Sequence, residues 1–421
     1  MNVQGRMIRV DGPAPRLEGE IEVPGAKNVA MPLLVAAALQ GRALRVDNVP
    51  RIADVGHLLE LLRVCAVDSE IRRSSVTLRE HQPLPALVCF PADTAARLRG
   101  AVYALALPAS QGRRAVLPCI GGDFIASRSF APHCRALRGF GLEVRHSDGA
   151  LEITGGRPRP AEFDLDDQGI TATCLAILIA GALEGRTVLS TASLETECDD
   201  VIAALNALGA RASREGRTIL VDGPYGGGVD SLSVPGDHLV WGTLAMAAAI
   251  TGGSTRSRTP ADHRYTPVIE LLEAYGLSVD RRDDGLRVSG APRRGVEVRT
   301  GMFPSFPSDL LPPAMALAAV APGTSVFHEA HYGSRFDHAG GMRALGARIS
   351  IDGEHGTVKG GERLRGARLA GAGIRETTAL LLLSLAAEGR TWLSDIGSLY
   401  RGYEDLPGAL RHLGAPLHVL D

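Results

Sequence analysis

Apolar residues return along this chain in blocks. Six Ala/Leu-rich runs each end in glycine and a short β-branched strand: PLLVAAALQGRALRV, YALALPASQGRRAVL, AILIAGALEGRTVLS, AMAAAITGGSTRSR, MALAAVAPGTSVFH and LLLLSLAAEGRTWLS. A helix that is apolar all round has no face for water and must be buried. The closing glycines, Gly41, Gly112, Gly185, Gly253, Gly323 and Gly389, recur about seventy residues apart, which marks internal repetition. A second, amphipathic segment follows each block and ends in a turn and another strand: LLRVCAVDSEI, ALRGFGLEV, ALNALGARAS, LLEAYGLSV, MRALGARISI and LRHLGAPLHVL. Five of these place Gly141, Gly209, Gly276, Gly346 or Gly414 where a helix C-cap needs a left-handed residue. The first has Ala66 or Val67 there instead.

The pattern predicts an α/β protein of six strand–helix–strand–helix–strand (βαβαβ) units, with buried helices and alternating strands such as LEVRH and LRVSG. Six such units exceed one core in 421 residues, so three plus three is the natural division. The Gly/Pro-rich stretch DGPYGGGVDSLSVP lies near the boundary. A cleft between the halves is the default ligand site.

Composition removes several classes. The chain is 45% apolar and 22% charged with a net charge of -2, so disorder is excluded and neither nucleic acid nor an anionic membrane is attracted. No stretch reaches the ~18–20 apolar residues that span a bilayer, and the best candidate, residues 378–387, is too short. The opening MNVQGRMIRVDG has no apolar signal core, and six scattered cysteines lack metal or disulfide spacing. The expectation is a cytoplasmic protein, a monomer or weak homo-oligomer, with no metal. Of 45 basic residues only Lys27 and Lys359 are lysine. A retained lysine among so many arginines points to a site that needs a compact charge rather than a planar fork.

Residues that break the repeat carry the candidate chemistry. In PGAKN, residues 24–28, Lys27 and Asn28 precede a buried helix, where N–H groups and the helix dipole favour an anion. LPCIGGDFIASRS, residues 117–129, is a Gly-Gly loop with Asp123 and Arg128; an acid on a closing lid can donate a proton, although alone the loop reads as a surface turn. In FPSFPSDLLPPA the prolines fix a loop that holds Asp309, or Asp309 caps the following helix. Arg99, Arg335, Arg375 and Arg401 stand on apolar or Gly-rich segments, and several converging would grip a small polyanion. Dinucleotide, ATP, zinc-hydrolase and serine-hydrolase motifs are missing.

EGEIEVPGAKNVAMPLL, LPCIGGDFIASR, FPSFPSDLL, YGSRFDHAGGMRALGA and LYRGYEDL, in this order and spacing, resemble the enolpyruvyltransferase family, in particular its UDP-N-acetylglucosamine 1-carboxyvinyltransferase branch. The resemblance implies two inside-out α/β barrel domains, residues 1–22 plus 234–421 and residues 23–233, the second carrying the Gly-Gly-Asp lid. It implies transfer of the enolpyruvyl group of phosphoenolpyruvate to an acceptor hydroxyl, with phosphate released and no cofactor. By position Lys27, Arg99, Arg128, Arg335 and Arg401 would bind phosphoenolpyruvate. Asp123, Asp309 and Lys27 would be catalytic, Asp123 as proton donor to the methylene carbon and Asp309 to orient or deprotonate the hydroxyl. Asn28, Arg99, Arg128, Ser129, Phe130, Asp167, Gln168, Gly169, Asp309 and His331 fall at the acceptor.

The departures lie mostly on the acceptor side. Asp123 stands where the family's lid has cysteine, which implies indifference to the epoxide fosfomycin. The family's Arg-Pro-Val-Asp-Leu uridine loop reads RSFAP, residues 128–132, and its Lys-Val-Ser-Val segment reads LDDQ, residues 165–168. The acid expected two residues before Arg375 is Gly373. Carboxylates in place of a cation repel a diphosphate. The acceptor half is thus rebuilt, and the resemblance supplies a precedent that makes UMP or a related nucleotide of nucleoside-antibiotic biosynthesis the expected acceptor. UDP-N-acetylglucosamine of peptidoglycan synthesis is the alternative, and a silent ligand-binding paralogue is an answer of another class.

Overall fold

The computed structural model describes residues 6–121, 130–147, 149–166, 169–259, 262–333 and 335–420. The chain divides into two compact units, Met1–Pro24 with Gly236–Asp421 and Gly25–Pro235, each with its own hydrophobic core.

The apolar blocks form the interior. In the Gly25–Pro235 unit the helices Lys27–Ala38 and Ile170–Ala182 pack against each other and against the short helices Arg99–Leu105 and Ala106–Ser110. In the other unit His238–Ile250, Leu311–Val320 and Ile374–Ser384 do the same. Their residues are buried on every side, as continuous apolar runs require. The amphipathic segments form second helices, such as Ala53–Val64 and Thr196–Ala207. Four-stranded sheets lie outside, with alternating burial along strands such as Thr324–His328 and Thr218–Gly223. Helices inside and sheets outside is the expected inside-out α/β arrangement.

The repeat is one strand longer than βαβαβ. Among the described residues each of the six sheets has four strands, and the addition is the return strand of a hairpin. One unit runs Glu297–Arg299, helix, Thr324–His328, helix, Arg348–Asp352 and then His355–Lys359, which inserts antiparallel between the previous two strands. A tight turn at Gly353 joins the last two, so a single polar-apolar alternation conceals two strands.

Three sheets borrow a strand from a distant part of the chain. Glu18–Ile21 pairs with Ser254–Ser257, Ser231–Ser233 pairs with Leu44–Asp47, and Met7–Gly12 lies between Gly389–Ser394 and Leu417–Leu420. The first two borrowed strands precede the two crossings, at 24/25 and 235/236. Each crossing delivers the chain to a buried helix's N-terminus: Ala26 N–H donates to Pro235 at 2.8 Å, and Asp237 N–H to Pro24 at 2.9 Å. Asp237 caps its helix by accepting from Leu239 and Val240.

The five repeat-final glycines all take positive φ, and Ala66 occupies the sixth position at φ 61°. In the fourth block Gly252 rather than Gly253 is left-handed, while a Cβ at Gly253 would lie 2.0 Å from the Leu17 carbonyl oxygen. Among the described residues no helix is long and apolar enough to cross a membrane. All six cysteines are free, and no metal-ligand cluster occurs among the described residues.

Candidate active site

In the Gly25–Pro235 unit the candidates gather at helix N-termini. Lys27 is the first residue of its helix, where the dipole opposes a cation, and its Nζ donates to Asp54 Oδ2 at 3.1 Å. Asp54, almost fully buried, lies in the first turn of Ala53–Val64. Asn28 Nδ2 stands 3.5 Å from Glu197 Oε1, and Glu197 is buried in the first turn of Thr196–Ala207. Neither acid is recognisable in the sequence, because a carboxylate early in a helix is ordinary capping chemistry. A pair of buried carboxylates behind an ammonium and an amide fixes both groups rather than leaving them to solvent.

Arg99 opens the short helix Arg99–Leu105. Gly100 lets that helix approach Lys27–Ala38 closely, since a Cβ there would lie 2.7 Å from Met31 Sδ. The Arg99 guanidinium stacks on Phe130, 4.1 Å from the ring centroid, a cation–π contact. Buried His133 packs against the same ring, with Nε2 2.8 Å from Thr171 Oγ1. Burial, and then the Arg99 charge, lower its pKa to about 3, so the ring is neutral at pH 7. Gly169 precedes the helix Ile170–Ala182 that carries Thr171. The adjoining loop is acidic: Asp164 and Asp166 are exposed, and Asp166 pairs with Arg135 at 3.1 Å. The Thr191 hydroxyl holds Asp164 below the usual carboxylate range. Cys119 Sγ donates to the Ala92 carbonyl at 3.1 Å. Asp123, Arg128, Ser129, Asp167 and Gln168 lie outside the described residues.

The second cluster belongs to the other unit. Asp309 sits inside the 3-10 turn Ser308–Leu310, while Leu310 occupies the N-cap of Leu311–Val320; Asp309 is not that helix's cap. Pro312 and Pro313 fill the first turn, where a missing N–H costs nothing. Two guanidiniums flank Asp309 Oδ1, Arg335 Nη1 at 3.5 Å and Arg375 Nε at 3.9 Å. Both arginines are largely buried, whereas Asp309 is 49% exposed and can meet a ligand. Arg335 also donates to Ser308 Oγ at 3.0 Å and stacks 5.0 Å from the Tyr332 centroid, and Arg375 donates to the Ser308 carbonyl at 2.9 Å. Ser308 Oγ in turn donates to Glu329, which is fully buried.

His331 lies beside this cluster, its N–H donating to Glu329 Oε1 at 3.1 Å. Half-buried Arg401 ends the turn Ile396–Arg401. Buried His338 is held neutral, its pKa lowered to about 3 by burial and then by Arg375 and Arg335. The structure therefore joins Asp309 to Arg335 and Arg375, and Lys27 and Asn28 to acids absent from the sequence reading. Arg375 had a signal as an arginine in a Gly-rich segment; Asp54, Glu197, Ser308 and Glu329 had none.

Lys27, paired with buried Asp54, and Arg99 stand at helix N-termini, which favour an anion, and in the other unit Asp309 is a half-exposed carboxylate flanked by two guanidiniums. The EPSP synthase (3-phosphoshikimate 1-carboxyvinyltransferase) family model matches residues 12–410. The UDP-N-acetylglucosamine 1-carboxyvinyltransferase of Dichelobacter nodosus is 34% identical over 410 residues, 96% of each chain. A Symbiobacterium thermophilum relative, UDP-N-acetylglucosamine 1-carboxyvinyltransferase 2, is 34% identical over 417 residues, 96% of this chain and 95% of its own. Among solved structures, the enolpyruvyl transferase NikO from Streptomyces tendae superposes with a TM-score of 0.86 at 25% identity, covering 99% of both chains. EPSP synthase from Acinetobacter baumannii shares the fold at a TM-score of 0.76, 18% identity, with 99% of this chain and 100% of that one covered. The chain belongs to the EPSP synthase family and is an enolpyruvyl transferase, a 1-carboxyvinyltransferase.

Proposed function

We propose that the protein transfers the enolpyruvyl group of phosphoenolpyruvate to a hydroxyl of a uridine nucleotide, with UMP or a related nucleotide favoured as acceptor. Lys27, Arg99, Arg335 and Arg401, with Arg128, bind the donor's phosphate and carboxylate, which need fixed positive charge. Asp123, with Lys27 assisting, delivers a proton to the methylene carbon. The acceptor hydroxyl then adds to the neighbouring carbon while Asp309 takes its proton. The tetrahedral adduct loses phosphate and a proton from the new methyl group, restoring the vinyl carbon. Asn28, Phe130, Gly169 and His331, with Ser129, Asp167 and Gln168, meet the acceptor.

The acidic loop supports a monophosphate. Asp164 and Asp166 lie exposed there, and Arg135, one of the nearby cations, is already paired with Asp166. Such a loop opposes a diphosphate. Likeness to NikO, an enolpyruvyl transferase, supports the transfer itself. Relatives named UDP-N-acetylglucosamine 1-carboxyvinyltransferase, 34% identical over nearly the whole chain, favour UDP-N-acetylglucosamine as a second reading.

The test is phosphate release from phosphoenolpyruvate with UMP, uridine, UDP-N-acetylglucosamine and shikimate 3-phosphate offered separately. Turnover with UMP and not with the nucleotide sugar supports the first reading. Turnover with the nucleotide sugar replaces it with the second, and release with shikimate 3-phosphate alone overturns both.

A further inference from the structure

Behind the Asp309 cluster lies a buried carboxylate whose hydrogen bonds fix the order of protons in front of it. Glu329 is fully buried just after the strand Thr324–His328. Its Oε1 accepts from Thr300 Oγ1 at 2.8 Å and from the N–H groups of His331 and Tyr332 at 3.1 and 3.2 Å. Its Oε2 accepts from Ser308 Oγ at 2.6 Å. A hydroxyl has one proton, so a Ser308 that donates to Glu329 can only accept from Arg335. Arg335 Nη1 does donate to it, at 3.0 Å, and the same nitrogen stands 3.5 Å from Asp309 Oδ1.

We propose that Glu329 is a positioning residue for enolpyruvyl transfer, which acts through Ser308 to aim Arg335 at the substrate and hold it beside Asp309. The inference rests on the reading that Arg335 binds phosphoenolpyruvate.

The geometry makes Glu329→Gln a sharp perturbation. Three donors converge on Oε1, so a glutamine must keep its amide oxygen there and turn its NH2 toward Ser308. The serine then accepts a hydrogen bond from glutamine, which competes with Arg335 for its lone pairs, and its own proton loses the carboxylate acceptor. The variant keeps the shape and reverses the link. Ser308→Ala breaks the same link while leaving the three Oε1 bonds in place, and Ser308→Thr retains the hydroxyl.

Steady-state kinetics of the full chain, with thermal unfolding of each variant, test the proposal. Leu272→Ala, a buried site on the helix Thr266–Ala274, supplies comparable destabilisation in the same unit away from the cluster. Glu329→Gln and Ser308→Ala should raise KM for phosphoenolpyruvate about tenfold, as loss of a fixed charged donor does. Ser308→Thr should stay within about twofold of the parent, and Leu272→Ala should lower Tm with KM unchanged. Because Glu329→Gln can fail to fold, Ser308→Ala carries the test alone if it must. Arg335→Met separates the two readings. If it raises KM while Ser308→Ala and Glu329→Gln leave KM at the parent value, the positioning role is wrong. If Arg335→Met also leaves KM unchanged, the donor-site reading beneath it has failed.

Discussion

Lys27 is the position where charge and shape separate most cleanly. Its ammonium lies 3.1 Å from Asp54 Oδ2, with the lysine 23% and the aspartate 3% exposed. At an effective dielectric near 20, two unit charges at that separation attract by about 5 kcal/mol before desolvation. Removing water from Asp54 and the helix dipole acting on Lys27 both oppose this, and partial exposure screens it. A net contribution of about 2 kcal/mol remains. Lys27→Met should therefore destabilise the protein by about 2 kcal/mol and also abolish turnover. Lys27→Arg keeps the charge and can still pair with Asp54, so stability should change by less than about 1 kcal/mol. The guanidinium is planar and longer, however, and cannot stand as a point charge beside the helix N-terminus. Misplacing one charged contact to the transferring group is worth about 3 kcal/mol, or about a hundredfold in kcat. Urea unfolding and kcat measured on all three proteins give the answer. An arginine variant that keeps more than about a third of the parent kcat would refute the point-charge requirement.

His133 and His338 have pKa values lowered to about 3, chiefly by burial, so both favour the neutral ring in the fold. Their stabilisation is complete above the unfolded value of about 6.5 and fades as pH falls toward 3, so Tm should decline on acidification. His338→Leu should flatten that decline; an unchanged pH slope would sink the assignment. Ala66 sits at φ 61° where its counterparts are glycine, and Ala66→Gly should raise the unfolding midpoint by the equivalent of about 1 kcal/mol. An unchanged or lowered midpoint would show that the backbone there carries no strain. Fosfomycin should leave activity intact after preincubation, because Asp123 is not a thiol and Cys119 donates to Ala92. Time-dependent, stoichiometric inactivation of the parent would contradict this, while Asp123→Cys should become sensitive.

The repeat was legible because buried helices and their caps impose local composition. Continuous Ala/Leu runs and Gly141 through Gly414 each answer to one turn of chain, which a sequence displays directly. The fourth strand of each sheet was not legible, since hairpin strands such as Arg348–Asp352 and His355–Lys359 share one alternation. Nor could a local reading pair Glu18–Ile21 with Ser254–Ser257, two strands on opposite sides of the intervening unit in the chain. At the site, Lys27, Arg335 and Asp309 stood out by interrupting their surroundings. Asp54, Glu197 and Glu329 did not, because what distinguishes them is burial beside a particular partner, and burial of a single carboxylate leaves no trace in its neighbours' identities.

Addition followed by elimination, rather than simple hydrolysis of the donor, is the chemistry on which the account depends. Its most direct test is the mass spectrum of the nucleotide formed from phosphoenolpyruvate and UMP in D2O. Protonation at the methylene carbon gives a transient methyl group, so the product should be an enolpyruvyl nucleotide with deuterium in its vinyl position. Phosphate and pyruvate beside unmodified UMP, with UDP-N-acetylglucosamine equally unchanged in a parallel reaction, would contradict it.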